Sequence, residues 1–86
     1  MKVYLVCEVD METQEIYRVR EVFSNRDSAI DRAIVLLQDR GNSVRRTENY
    51  KNLMFERIKE HLDRFEEFYD RNFEVAVFER TVDPFS

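Results

Sequence analysis

An α+β fold is what this sequence predicts: a three-stranded sheet, made of a β-hairpin and a C-terminal strand, covered on one face by two antiparallel helices in the order β-β-α-α-β. Three observations predict it. Two stretches near the start, "KVYLVCEV" and "IYRVREVF", are dense in β-branched and aromatic residues, and "FEVAVFERTV" repeats that composition near the end. Between them, two longer stretches carry apolar residues at three- and four-residue spacing, the repeat of a helix with one buried face. A single Gly and a single Pro leave little room for linkers, so residues 1–82 form one domain followed by a short tail, 83–86.

The elements follow in order. Residues 2–9 and 16–23 form a hairpin across the polar stretch "DMETQE", and the lack of Asn-Gly or Asp-Gly there predicts a loop of several residues rather than a two-residue turn. "SNRD" is a helix start in which Ser24 accepts from the amide three residues on and Asp27 reaches back. Ile30, Ala33, Ile34 and Leu37, widened by Ala29 and Leu36, give residues 25–40 a core-facing stripe, with Val35 outside it and Gly41 placed for a left-handed cap. "YKNLMFERIKEHLDRFEEFYDRN" (50–72) reads as the second helix: Phe55, Ile58, Leu62, Phe65 and Tyr69 share one band, and Met54, His61 and Phe68 extend it to about 140°. So wide an arc covers a sheet and a neighbouring helix, whereas a two-helix coiled coil needs only a narrow seam. Residues 73–82 are the last strand, which the returning helix pair would set parallel to the first, and Pro84 ends pairing.

Composition bounds the function. With 43% hydrophobic and 37% charged residues the chain folds, and no apolar run is long enough for a spanning helix, so no membrane is expected. Fourteen Lys and Arg against 18 Asp and Glu leave a net charge of −4, which disfavours non-specific phosphate binding. One cysteine and no apolar leader point to a reducing cytoplasm, bacterial or that of an infected host cell.

The opening V-Y-L-V, the second strand ending V-F-S and the N-R-D-S-A that starts a helix resemble many short proteins of bacteriophage and prophage genomes, mostly of unassigned function. The resemblance covers roughly the first forty residues. It implies a phage-type accessory protein that binds and modulates a host protein, and it carries over no functional residue.

Candidate chemistry is sparse. His61 has Arg57, Ile58, Arg64 and Phe65 one turn away, two cations and two apolar groups, which makes a poor zinc site and predicts a neutral histidine at the core edge. Glu56, Glu60, Asp63, Glu67 and Asp70 line the opposite side beside Arg57, Arg64 and Arg71, the pattern of a solvated, salt-bridged face. Cys7 falls in a buried strand as a structural thiol. Glu8, Asp10, Glu12 and Glu15 around the hairpin read as solvated loop acids. No catalytic set, cofactor site or metal site assembles, and a non-enzymatic protein is expected.

The expected binding surface is the sheet face away from the helices. Alternation assigns Val3, Leu5, Cys7, Val9, Tyr17, Val19, Phe23, Phe73, Val75 and Val77 to the covered side. The open side then carries Tyr4, Val6, Arg18, Arg20, Phe78 and Arg80, with Glu8, Ala76, Ile16 and Val22. Aromatics mixed with arginines suit an interface. The expectation is a protein-interaction module, homo-oligomeric and most simply a dimer, with a Met54, His61 and Phe68 edge as a secondary contact. The alternative is a nucleic-acid or nucleotide-binding module in which Tyr4 and Phe78 stack on bases while Arg18, Arg20, Arg80 and the Arg45-Arg46 loop hold phosphates.

Overall fold

Among the described residues the elements are β1 (Lys2–Asp10), β2 (Glu15–Phe23), α1 (Arg26–Arg40), α2 (Glu48–Phe65), β3 (Glu67–Asp70) and β4 (Val75–Thr81). The computed structural model describes residues 1–10, 12–13, 15–40, 46–71 and 73–82, with the backbone alone at Tyr17. The expected Gly41 stop, Arg45 and the 83–86 tail lie outside the described residues.

The hairpin loop is closed by side chains instead of glycine. Asp10 Oδ1 accepts from the amides of Glu12 (2.9 Å) and Thr13 (3.4 Å), and Thr13 Oγ1 accepts from Glu15 N (3.3 Å). Helix α1 starts one residue later than "SNRD" suggested, because Asn25 and not Ser24 is the cap: its side-chain oxygen accepts from Ser28 N at 3.0 Å. Its buried residues are Ala29, Ile30, Ala33, Ile34, Leu36 and Leu37, the expected stripe, and Val35 is exposed. Helix α2 is capped by Thr47, whose hydroxyl accepts from Tyr50 N at 3.1 Å.

The expected helix over 50–72 ends early. Glu66 turns left-handed (φ 59°, ψ 18°), its N–H closes on the Leu62 carbonyl, and the chain leaves as a strand. Phe68 and Tyr69 therefore lie on β3, not on the helix. A turn in which Asp70 Oδ1 accepts from Phe73 N (3.1 Å), with Glu74 at φ 57°, leads into β4. This extra strand corrects both the strand count and the pairing. The sheet has four strands in the order β2-β1-β4-β3, and because β3 reverses the chain once more, β4 runs antiparallel to β1 instead of parallel.

Helix α1 lies over β1, β4 and β2, and α2 lies over β3 and β4. The main core joins Tyr4 and Val6 of β1, Val75 and Val77 of β4, and Phe68 of β3 to the buried stripes of both helices. Salt bridges fasten the layers: Arg26 of α1 to Asp63 of α2, Arg32 of α1 to Glu21 of β2 (2.6 Å), and Arg40 of α1 to Glu8 of β1. Among the described residues no helix is long and apolar enough to cross a membrane.

Candidate interaction surface

The helix-free face of the sheet carries a second apolar cluster. Cys7 and Val9 of β1 and Ala76 and Phe78 of β4 are buried there, with Leu5 and Tyr69 packed against them. Among the described residues no helix supplies this cover. The Tyr69 ring meets Phe78 edge-on at 5.4 Å, and the Arg80 guanidinium sits 4.9 Å over the Phe78 ring. Burial pushes the Cys7 thiol up to about 11, against a weaker opposing pull from Arg80. Burial, followed by the nearby Glu67 charge, also raises the Tyr69 phenol.

Beside this cluster β2 exposes an apolar stripe. Ile16, Val19 and Val22 are 45%, 49% and 58% exposed, and stand opposite Val9, Cys7 and Leu5 respectively. Residues three apart in a strand normally point to opposite faces. Here two register shifts, between Val6 and Cys7 and between Glu8 and Val9, insert an extra residue each on β2 and bring all three onto one face.

The sequence-predicted surface is therefore redrawn. Tyr4 (9% exposed) and Val6 (0%) lie under the helices in the main core, not on the open face. Arg18 stands opposite Glu8, and Arg20 reaches Glu8 at 3.7 Å, so both belong to the helix-side margin. Of the six residues expected to form the surface, Phe78 and Arg80 are on it. Leu5, Cys7, Val9 and Val19, expected on the covered side, are on the open one. Glu8 is the physical reason for the inversion: alternation groups it with Lys2 and Asp10 and marks that face as solvent, yet Glu8 is buried and paired with Arg20 and Arg40. Burial, then its hydrogen bond to Glu79 and the charge of that carboxylate, raises the Tyr4 phenol, as befits a core tyrosine.

The secondary edge is not an exposed patch. Met54 and Phe68 are buried, and His61 packs its ring edge-on to Phe68 at 5.6 Å and tilted to Phe65 at 6.1 Å. Its Nδ1 donates to the Arg57 carbonyl at 2.8 Å, an intrahelical contact that leaves no catalytic partner at that nitrogen. Phe65, expected in the core band, is 63% exposed because the helix ends beside it. Of the acid stripe, Glu60 pairs with Arg64 at 3.5 Å and Asp63 with Arg26. No three His, Cys, Asp or Glu among the described residues gather closely enough to hold a metal ion.

No family model, curated protein or solved structure matches this chain.

Proposed function

We propose that this chain is a non-enzymatic protein-interaction module that pairs with a second copy of itself through the helix-free face of its sheet. One observation carries the reading: Ile16, Val19 and Val22 expose a β-branched stripe next to an apolar cluster that no helix covers. A soluble domain that leaves such a stripe on one face gains by covering it. Two copies related by a two-fold axis would lay stripe on stripe, the self-complementary arrangement of a symmetric dimer.

The expected strength follows from size. Four strands at about 4.8 Å and seven residues at about 3.3 Å give a footprint of about 440 Å² per copy, below the roughly 800 Å² of a standard interface. Association is accordingly weak and reversible. In the phage-type setting that the resemblance of the first forty residues implies, a host protein would compete for this face.

Base stacking has little support on this face: Phe78 is 2% exposed, and Tyr4, Arg18 and Arg20 are elsewhere. Sedimentation between about 10 µM and 1 mM tests the proposal, that being the range expected of so small an interface. A mass rising from 10.5 kDa towards twice that value supports it, and a constant 10.5 kDa overturns it.

A further inference from the structure

We infer a second binding site, on a different surface: the cleft between α2 and the free edge of β3 takes an extended peptide with acidic side chains as a fifth strand of the sheet. The inference does not rest on self-association through the helix-free face.

The backbone supplies the first part of the case. Strand β3 is the last in the sheet order, so among the described residues one of its sides has no strand partner. Glu79 N donates to Glu66 O at 2.9 Å, which sets the phase of the ladder. With a period of two, Phe68 and Asp70 then bond towards β4, while Glu67 and Tyr69 turn their N–H and C=O outward. Among the described residues nothing takes these outward groups. An edge of this kind is a template for an added strand.

The cleft supplies the second part. About 410 Å³ of space is lined by Tyr50, Met54 and Arg57 of α2 and by Phe68, Tyr69 and Arg71 on the β3 side, with Asp70. The Tyr69 ring is on the opposite face against Phe78, so what Tyr69 offers the cleft is its outward backbone. The space thus opens directly onto the unpaired edge. Its floor, Met54 and Phe68, is apolar, which suits the CH2 stems of glutamates whose carboxylates reach for a guanidinium lining the same cleft.

Charge chooses the occupant. Neither Arg57 nor Arg71 has a carboxylate within ion-pair distance among the described residues. Asp70 is engaged with the Phe73 amide. Arg71 also borders a second hollow with Asp10, Glu12 and Glu74, which offsets part of its charge, whereas Arg57 does not border it. Arg57 is therefore the main anchor for an acidic side chain, with Arg71 assisting. The molecule as a whole carries −4, so net charge alone would favour a basic peptide and the local guanidiniums favour an acidic one.

Two blocked hexapeptides test this: acetyl-(Val-Glu)₃-amide and acetyl-(Val-Lys)₃-amide, each about 20 Å long when extended. Titration into ¹⁵N-labelled protein, followed by amide hydrogen exchange, should show only the acidic peptide binding. At saturation, exchange at Glu67 and Tyr69 should slow by about tenfold or more, with a smaller change at Phe68 and Asp70, whose amides already bond to β4. Arg57→Ala should weaken binding by about fivefold to tenfold, and Arg71→Ala by less. Both substitutions are at exposed positions and leave the core intact. Three results overturn the inference: equal or tighter binding of the lysine peptide, binding without protection of the Glu67 and Tyr69 amides, or binding indifferent to Arg57→Ala. Absence of binding at millimolar peptide overturns it too. Loss of self-association in Val19→Glu, with peptide binding retained, separates this site from the helix-free face.

Discussion

Val19→Glu places a carboxylate in the middle of the exposed stripe, opposite Cys7. Full burial of a valine or isoleucine side chain is worth about 1.5–3 kcal/mol, and the three stripe residues are roughly half exposed, so covering each gains about 1 kcal/mol. Six such residues in a symmetric pair give about 6 kcal/mol, and Leu5, Tyr69 and the Arg80 stem add a few more. With an association cost at the low end of its range, about 4 kcal/mol, the net is about −5 kcal/mol, a Kd on the order of 0.1 mM. The substitution removes about 2 kcal/mol of apolar gain from the pair and adds about 1 kcal/mol or more per copy for desolvating the carboxylate. Association should weaken by about 10²–10³-fold, leaving a monomer at 1 mM by sedimentation velocity. Leu53→Glu, at an exposed position on α2, is the control and should change nothing. If Val19→Glu still self-associates like the parent, or if Leu53→Glu abolishes association, the stripe is not the interface.

Three further outcomes concern stability. The Cys7 thiol has an ordinary value of 9.0 and is pushed up to about 11 by burial, so its contribution is present in full below pH 9 and is lost as pH rises towards 11. At pH 10 the loss is about 1.4 kcal/mol; urea unfolding at pH 7 and pH 10 should show that extra decline in the parent but not in Cys7→Ala, and parallel declines would refute it. Replacing left-handed Glu66 with glycine should stabilise the chain by about 0.5–1 kcal/mol, raising Tm by about 3–6 °C, and a lowered Tm would contradict the assigned helix end. Glu8→Gln removes a charge 7% exposed but leaves Arg20 and Arg40 able to rehydrate, so it should cost about 1.5 kcal/mol and lower Tm by about 6–12 °C; a change under about 2 °C would mean that the pairs contribute nothing.

The α1 stripe was legible residue by residue because its period is unambiguous and its outer face polar. The end of α2 was not. Leu62, Phe65 and Tyr69 continue a helical band, yet Phe68 and Tyr69 also suit a strand, and Glu66 turns left-handed without the glycine that usually signals it. The choice of sheet face failed for a different reason. Both faces of β1 have an apolar middle, so alternation separates two sets without saying which one the helices cover, and the charges of Lys2, Glu8 and Asp10, all of one parity, pointed the wrong way. The stripe itself was only half visible: Ile16 and Val22 were expected on the open side, but Val19 joins them through two bulges that leave no local mark in the residues.

The pairing of β1 with β4 has a consequence for synthesis. The two central strands of the sheet are the first and the last to be made, and they are tied at one end where Met1 N donates to Val82 O and Val82 N to Met1 O. Until β4 has been translated, the nascent chain holds a hairpin, two helices and the short β3 with no strand to join β3 to the hairpin, and a lone hairpin is marginal in water. Folding therefore waits for the end of translation of the domain and closes a long loop in one late step. During that interval both apolar faces of β1 are open, which makes the growing chain, rather than the finished one, the form most exposed to aggregation and to capture by chaperones.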